Sequence, residues 1–160
     1  MTAEYIEFYY ANKYKTQTTS RKDIGDIYVD GIPINIKSNN VDKENYSPNL
    51  ISADKLFDHL NAGNPLKFLF VDYGAGKKYP HHDWRGTEIF NETWVDAHHI
   101  SWDCLTIQCQ GKGVLQVSSD LKIDKNQTRE QFLKGFAPAY KTYFKKERTK
   151  LDKLEEKYNV

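Results

Sequence analysis

Gly25-Asp-Ile-Tyr-Val-Asp-Gly-Ile-Pro-Ile-Asn-Ile-Lys-Ser38 is the stretch that decides the fold. It predicts two short strands joined by a tight turn at Asp30-Gly31, because Asp-Gly is typical of hairpin turns. Side chains alternate across a strand, so Asn35 and Lys37 share one face and the neighbouring isoleucines share the other. The apolar face predicts contact with a core, and the polar face predicts a polar site.

Asp26, Ile36 and Lys37 offer the groups that phosphodiester hydrolysis needs. A divalent cation lowers the pKa of the attacking water and neutralises developing charge. Magnesium prefers hard oxygen ligands, commonly one or two carboxylates with substrate phosphate and water. Asp26 can supply a carboxylate and Ile36 a carbonyl oxygen, while Lys37 can stabilise the charge of the transition state.

These residues resemble the motif of the PD-(D/E)xK nuclease superfamily, especially type II restriction endonucleases. In that family an acid on one strand is followed by a D/E-x-K triplet on the next, which matches Asp26 and Asn35-Ile36-Lys37. The order of helix, β-hairpin, helix and strand over about residues 2–73 also resembles the family core. The resemblance implies an α/β fold with a restriction-endonuclease-like core, and a single nuclease domain over residues 1–160. Residues 74–160 are then enzyme-specific additions, a mainly β insertion and a long C-terminal helix.

The activity implied by the resemblance is Mg²⁺-dependent cleavage of double-stranded DNA at a specific short site by a homodimer. Asp26, Asn35, Lys37 and Glu7 are then catalytic, and Asp26, Asn35 and Ile36 hold the metal. Glu7 is preferred to Glu4 as the first-helix acid because its position beside Ile6 lets it point toward the sheet. The alternative is that both glutamates are solvated acids favoured by the helix dipole.

Asn35 departs from the family motif, which has a carboxylate at this position. An amide oxygen can coordinate a cation but brings no charge. Three explanations are open: the amide is native, it is an Asp-to-Asn change that keeps DNA uncut, or the protein is a non-catalytic DNA-binding module on a nuclease fold.

Periodicity and capping signals predict the remaining elements. These are a helix over 2–15, a helix over 52–61 capped by Ser52, a buried strand over 66–72, a strand over 87–95, a hairpin of 105–110 with 114–118, and a long helix that opens with a capping box at 128–131 and is kinked or split by Pro138. The sequence therefore predicts a mixed α/β domain with a mainly β middle.

Three polar segments are candidate DNA contacts, because amides and lysines suit base edges and phosphates. They comprise Ser38, Asn39, Asn40, Lys43, Tyr46 and Asn49 after the second strand, Lys77, Lys78, His81 and His82 in the next loop, and Gln108, Gln110 and Lys112 at the second hairpin. The alternative is that they are solvated connections and an exposed sheet face.

Composition bounds these interpretations. The charged fraction is 28% and the hydrophobic fraction 39%, as in an ordinary globular protein. No apolar run spans a membrane and the acidic N-terminus lacks signal-peptide character, so no membrane association and a cytoplasmic location are expected. The loop from Gly74 lacks a phosphate-loop pattern, so no nucleotide cofactor is expected. Cys104 and Cys109 are expected to be free thiols.

Residues 104–160 carry 12 basic and 7 acidic side chains, so their local charge is positive. The basic C-terminal helix has three open interpretations: contact with DNA phosphates, contact with a partner subunit, or a solvated face. A third class of function, a structural or partner-binding α/β domain, would use this helix as its interface.

Overall fold

Two β-sheets and four α-helices make up the part of the chain that the structure describes. This computed structural model describes residues 3–20, 22–42, 49–75, 87–108, 113–118 and 120–159. In chain order the elements are α1 (Ala3–Lys13), β1 (Ile27–Val29), β2 (Ile32–Asn40), β3 (Asn49–Ser52), α2 (Ala53–Asn61), β4 (Lys67–Ala75), β5 (Thr87–Asp96), 3₁₀ turns at Ala97–His99 and Trp102–Cys104, β6 (Leu105–Gln108), β7 (Val114–Val117), α3 (Arg129–Lys134) and α4 (Phe136–Tyr158). The predicted mixed α/β class is confirmed.

The predicted hairpin forms the start of the first sheet, whose strand order is β1-β2-β4-β5. β1 and β2 are antiparallel, with Ile27 opposite Ile34. Asp30 and Gly31 both have positive φ, 51° and 76°. That backbone matches the twist of a two-residue hairpin turn and favours Asp-Gly. The hairpin prediction is confirmed.

β2 and β4 are parallel neighbours, so the chain must cross from the end of one to the start of the other. It does so through β3 and α2. The Ser52 side chain accepts a hydrogen bond from the Lys55 amide and caps α2, as predicted. β4 lies between β2 and β5, which confirms a central strand.

The first sheet is covered on both faces. On one face α1 packs Ile6 and Tyr10 against Ile34, Ile36 and Leu69 of the sheet. The opposite face contributes Phe68 to a larger core, which includes side chains of α2, α3, α4 and the second sheet. Ile34 and Ile36 therefore face α1, and alternation turns Asn35 and Lys37 to the other face.

The second sheet has the order β3-β7-β6 and contains the second predicted hairpin. β3 is absent from the sequence prediction, which treated residues 39–49 as a loop. That prediction is wrong at both ends, because Asn39 and Asn40 complete β2 and Asn49 begins β3. β3 is a strand because it pairs with β7. Asn49 to Ser52 are too few residues to show strand periodicity by themselves. Cys104 is a buried free thiol, as expected.

The C-terminal helical region begins with the predicted capping box, in which Thr128 and Gln131 bond each other's backbone amides. The helix is interrupted, but at Gly135 rather than Pro138. The Trp102 ring occupies the space that a side chain at position 135 would need. Pro138 lies in the first turn of α4, where its missing N–H costs no helical hydrogen bond. Within the described residues, no helix combines the length and apolar character that a membrane crossing needs.

Candidate active site

The hairpin brings the Asp26 carboxylate against the Asn35-Ile36-Lys37 triplet. Asp26 precedes β1 by one residue, and its amide donates to the Ile34 carbonyl at 2.7 Å. Its Oδ2 accepts a hydrogen bond of 2.6 Å from the Ile36 amide. The Asp26 carboxylate thus accepts the hydrogen bond that a backbone carbonyl would accept if β1 began earlier. The other carboxylate oxygen takes no part in this bond.

The charges of two acidic side chains act on the Lys37 ammonium group. Burial lowers the pKa of the Lys37 ammonium, while the negative charges of Asp26 and then Glu7 oppose that shift. The choice of Glu7 as the first-helix acid stays a prediction, and the side chain of Glu4 lies outside the described residues.

Burial also raises the pKa of the Asp26 carboxyl, and the Ile36 hydrogen bond and the charge of Lys37 only partly oppose it. Folding therefore keeps an acid and an amine in an environment that favours the neutral form of each. Such opposed shifts are frequent where charged groups are held ready for chemistry.

Asn35 has a structural partner that a carboxylate would lack. Its side chain is 8% exposed, and its Nδ2 donates to the Ile24 carbonyl at 2.9 Å. Its Oδ1 is buried, with no hydrogen-bond donor among the described residues. The amide ties the segment that leads into Asp26 to β2, and it leaves one buried oxygen for a ligand.

A magnesium ion beside Asp26 would have to be completed by substrate and water. Asp26 supplies a carboxylate, and Asn35 has a buried amide oxygen that accepts from no described residue. Across the described ranges, no group of three or more His, Cys, Asp or Glu side chains could hold a metal ion by itself. A site of one or two carboxylates with substrate phosphate is usual for magnesium.

Lys37 faces an open cleft of about 390 Å³. The cleft is lined on one side by β2, β4 and β5, and on the other by Val117, Asp120, Leu121 and Ile123. Sequence reasoning placed Asn39 among the DNA contacts but missed Asp72, Asn91 and Asp120, which share this cleft. Asp72 had one detectable signal, since it is the first acidic side chain after the apolar run of β4.

The remaining predicted DNA contacts are spread over several surfaces. Ser38 and Asn40 alternate with Asn39 and so lie on the α1 face of β2. Asn49 is exposed at the start of β3, and Gln108 ends β6, where its Nε2 donates to Thr106 Oγ1 at 3.2 Å. The other candidates fall outside the described residues, namely Lys43, Tyr46, Lys77, Lys78, His81, His82, Gln110 and Lys112.

Comparison with known proteins assigns the chain to no family. No protein-family model matches the chain. A search of curated proteins likewise gives no match.

Proposed function

We propose that the protein is a Mg²⁺-dependent type II restriction endonuclease that cleaves double-stranded DNA at a specific short site. The observation that carries the proposal is the juxtaposition of Asp26, the Ile36 amide and Lys37 beside an open cleft. An acid and an amine held together at the surface of a sheet match what metal-assisted phosphodiester cleavage requires.

The fold supports the finer proposal of a restriction-endonuclease-like core. α1, the β1–β2 hairpin, α2 and β4 follow one another in the order that the motif resemblance implies. The parallel pairing of β2 with β4 puts the Asn35-Ile36-Lys37 triplet next to the central strand. The site residues are therefore held by a sheet rather than by a loop.

Each residue has a distinct role in the proposed reaction. The magnesium ion, when bound, neutralises developing charge and lowers the pKa of the attacking water. Asp26 would hold the ion, with Asn35 and Ile36 as the further ligands that the motif resemblance implies. Lys37 contacts the phosphate oxygens, and Glu7 adds a second negative charge. Nδ2 of Asn35 holds the segment that carries Asp26.

The proposed partners follow from the reaction. A small enzyme that cuts both strands of a palindrome-like site most simply acts as a homodimer. The proposal also includes a cytoplasmic location, where such an enzyme meets its DNA.

The direct test is digestion of DNA of known sequence with Mg²⁺, followed by mapping of the ends. We expect defined fragments from the purified protein and a loss of at least about a hundredfold in rate for Asp26→Asn, since the metal ligand loses its charge. Asp23→Asn is the matched control, because Asp23 is an exposed acid in the same segment. Undefined fragments, no cleavage, or equal rates for the two variants would contradict the proposal.

A second candidate is a non-catalytic DNA-binding module, favoured by the neutral side chain of Asn35. It predicts DNA binding that weakens steeply with salt, does not need Mg²⁺ and leaves the DNA intact. A mobility-shift titration with and without Mg²⁺, read together with the digestion, separates the two.

A further inference from the structure

The outer part of α4 has three sides that differ in chemistry. Beyond Tyr143, each residue of this helix is exposed. With 3.6 residues per turn, the charged residues fall on two flanks of an apolar stripe. The apolar stripe comprises Phe144, Leu151, Leu154 and Tyr158.

One flank of the apolar stripe is formed by four lysines at spacings of four, three and four residues. This spacing places their side chains in line, within about 60° of the helix circumference and over about 16 Å of its length. The lysine row comprises Lys146, Lys150, Lys153 and Lys157.

The opposite flank, which we call the mixed flank, carries charges of both signs. Its first half is basic and its second half acidic, and the halves interact, since Arg148 Nε lies 3.3 Å from Asp152 Oδ1. The positive and negative charges balance there, so the excess of positive charge on the outer part of α4 belongs to the lysine row. The mixed flank comprises Lys141, Lys145, Arg148, Asp152, Glu155 and Glu156.

The lysine row has little neutralising charge of its own. Lys150 Nζ lies 3.1 Å from Glu147 Oε1, an acid at the border of the apolar stripe. Lys146 and Lys153 form no ion pair with a described residue. Like charges three and four residues apart on a helix repel each other. A row of ammonium groups of this kind is therefore suited to an extended anion.

We propose that the lysine row lies along the phosphates of duplex DNA. The charges of one DNA strand follow each other about every 3.4 Å of the axis, so a row of about 16 Å reaches several phosphates. Lysines that contact phosphates position a protein on the duplex without reading its sequence. The choice of DNA rests on the proposed function, while the location of the contact rests on the segregation of charge around α4.

An anionic lipid surface is the competing partner, because an apolar stripe beside lysines is also typical of helices that lie in a membrane interface. Glu155 borders the apolar stripe on its other side, and Asp152 lies beside it on the mixed flank. Anionic lipids attract basic residues and repel these carboxylates. The distribution of charge therefore favours an anion that contacts α4 along the lysine row.

The salt dependence of DNA binding, measured without Mg²⁺ so that the DNA stays intact, tests the location of the contact. Two triple variants each remove three positive charges from α4, one from the lysine row and one from the mixed flank. They are Lys146→Gln with Lys153→Gln and Lys157→Gln, and Lys141→Gln with Lys145→Gln and Arg148→Gln.

Each lost phosphate contact should lower the slope of log affinity against log salt by about 1. The lysine-row variant should therefore lose about 2–3 from the slope and bind at least about tenfold more weakly at about 50 mM salt. The mixed-flank variant should keep its slope to within about 1. Equal losses in the two variants, or an unchanged slope in the lysine-row variant, would overturn the proposal.

All six substituted positions are exposed, so both triple variants should fold, which thermal unfolding checks. If the lysine-row variant fails to fold, Lys146→Gln and Lys153→Gln as single variants should each lower the slope by about 1. Unchanged slopes in both single variants would then overturn the proposal.

Two further measurements separate this surface from its alternatives. Binding to vesicles of phosphatidylcholine with phosphatidylserine that is lost in the lysine-row variant, with DNA binding unchanged, would assign the row to lipid and overturn the proposal. Because the DNA titrations need no catalysis, a reduced slope in the lysine-row variant without cleavage by the unaltered protein would refute the nuclease alone. Cleavage with equal slopes in the two triple variants would refute the lysine row alone.

Discussion

Asn35 shows at the scale of one residue what the sequence could and could not predict. The motif correctly directed attention to this position, but it suggested only a weakened metal ligand. The structure adds the hydrogen bond to Ile24, which lies 11 residues earlier in the chain. That bond depends on how the segment before β1 folds back, and no local pattern in the sequence contains this information.

Asn35→Asp should destabilise the protein in the absence of metal. A carboxylate cannot donate to the Ile24 carbonyl, and the lost bond leaves buried acceptors unpaired, at a cost of about 1–3 kcal/mol. Mg²⁺ should recover part of this loss because the variant gains a charged ligand. Urea unfolding with Mg²⁺ or with chelator measures both effects.

Asn64→Asp is the control for this experiment, because Asn64 is exposed in the turn after α2. Equal unfolding free energies of Asn35→Asp and the unaltered protein would mean that the amide has no positioning role.

Lys37→Met should abolish cleavage and increase stability. Burial lowers the pKa of Lys37 in the folded state. The stability of the fold is therefore highest above the pKa of the unfolded chain, where the amine is neutral, and decreases as the pH falls through the folded pKa. At neutral pH the buried charge therefore opposes folding. A methionine keeps most of the stem without the charge, and we expect a gain of about 0.5–2 kcal/mol in urea unfolding.

Lys134→Met, on an exposed position of α3, should give no comparable gain. A lower stability for Lys37→Met than for this control would show that the Lys37 charge is net stabilising.

At the scale of elements, prediction succeeded where the signal was local. The Asp30-Gly31 turn, the Ser52 cap and the Thr128 capping box each depend on residues within a few positions of one another, and each is observed. β3 was missed because its strand geometry comes from pairing with β7, more than 60 residues away. No local pattern explains Gly135 at the helix break, because the side chain that excludes a Cβ there belongs to the distant Trp102.

A buried phenol helps to attach α1 to the sheet. Tyr10 is fully buried, and its hydroxyl donates to Glu92 Oε1 at 2.6 Å. Burial, the hydrogen bond to Glu92 and the charge of that carboxylate raise the pKa of Tyr10 well above its usual value. Because the folded pKa is raised, Tyr10 contributes its full stabilisation below the unfolded pKa of about 10. This contribution decreases as the pH rises from there toward the folded pKa.

Tyr10→Phe should therefore cost about 1 kcal/mol at neutral pH through loss of the hydrogen bond. Its stability should also fall less steeply than that of the unaltered protein above about pH 10. Urea unfolding over the alkaline range checks both, with Tyr28→Phe at a largely exposed site as control. Parallel alkaline slopes for the Tyr10 variant and the unaltered protein would contradict this explanation.

At the scale of the whole molecule, the candidate site combines parts that the sequence keeps far apart. Asp26 and Lys37 could be found together because one hairpin carries both. The cleft also needs Asp72 and three residues after β7, namely Asp120, Leu121 and Ile123, which meet only when the first sheet packs against that segment. Long-range packing of this kind has no periodic signature, so Asp26 and Lys37 could be predicted from the sequence but the facing wall of the cleft could not.

The outer half of α4 carries an exposed apolar face. Tyr143 is its last buried side chain, and beyond it Phe144, Leu151, Leu154 and Tyr158 recur on one face with at least 48% exposure. Such spacing is typical of a helix that packs against another helix.

We propose that this face joins two subunits, so deleting residues 147–160 should remove that contact and the stabilisation that a dimer gives the folded chain. The full chain should sediment as a dimer and the shortened chain as a monomer. Lys153→Ala, on the same helix outside the apolar face, should remain dimeric. A dimer that survives the deletion would return this helix to the other two interpretations, phosphate contact or a solvated face.

β2 also limits how such a protein can change in evolution. Lys37 and Asn39 project from one strand, so their separation is set by the backbone repeat and cannot be adjusted by a neighbouring loop. Inserting a single residue between them would turn every later side chain to the opposite face of the sheet. New ligand preferences in this cleft should therefore arise by replacing Asn39 or Asp72 in place, and changes in length should accumulate in the connections beyond the strand ends.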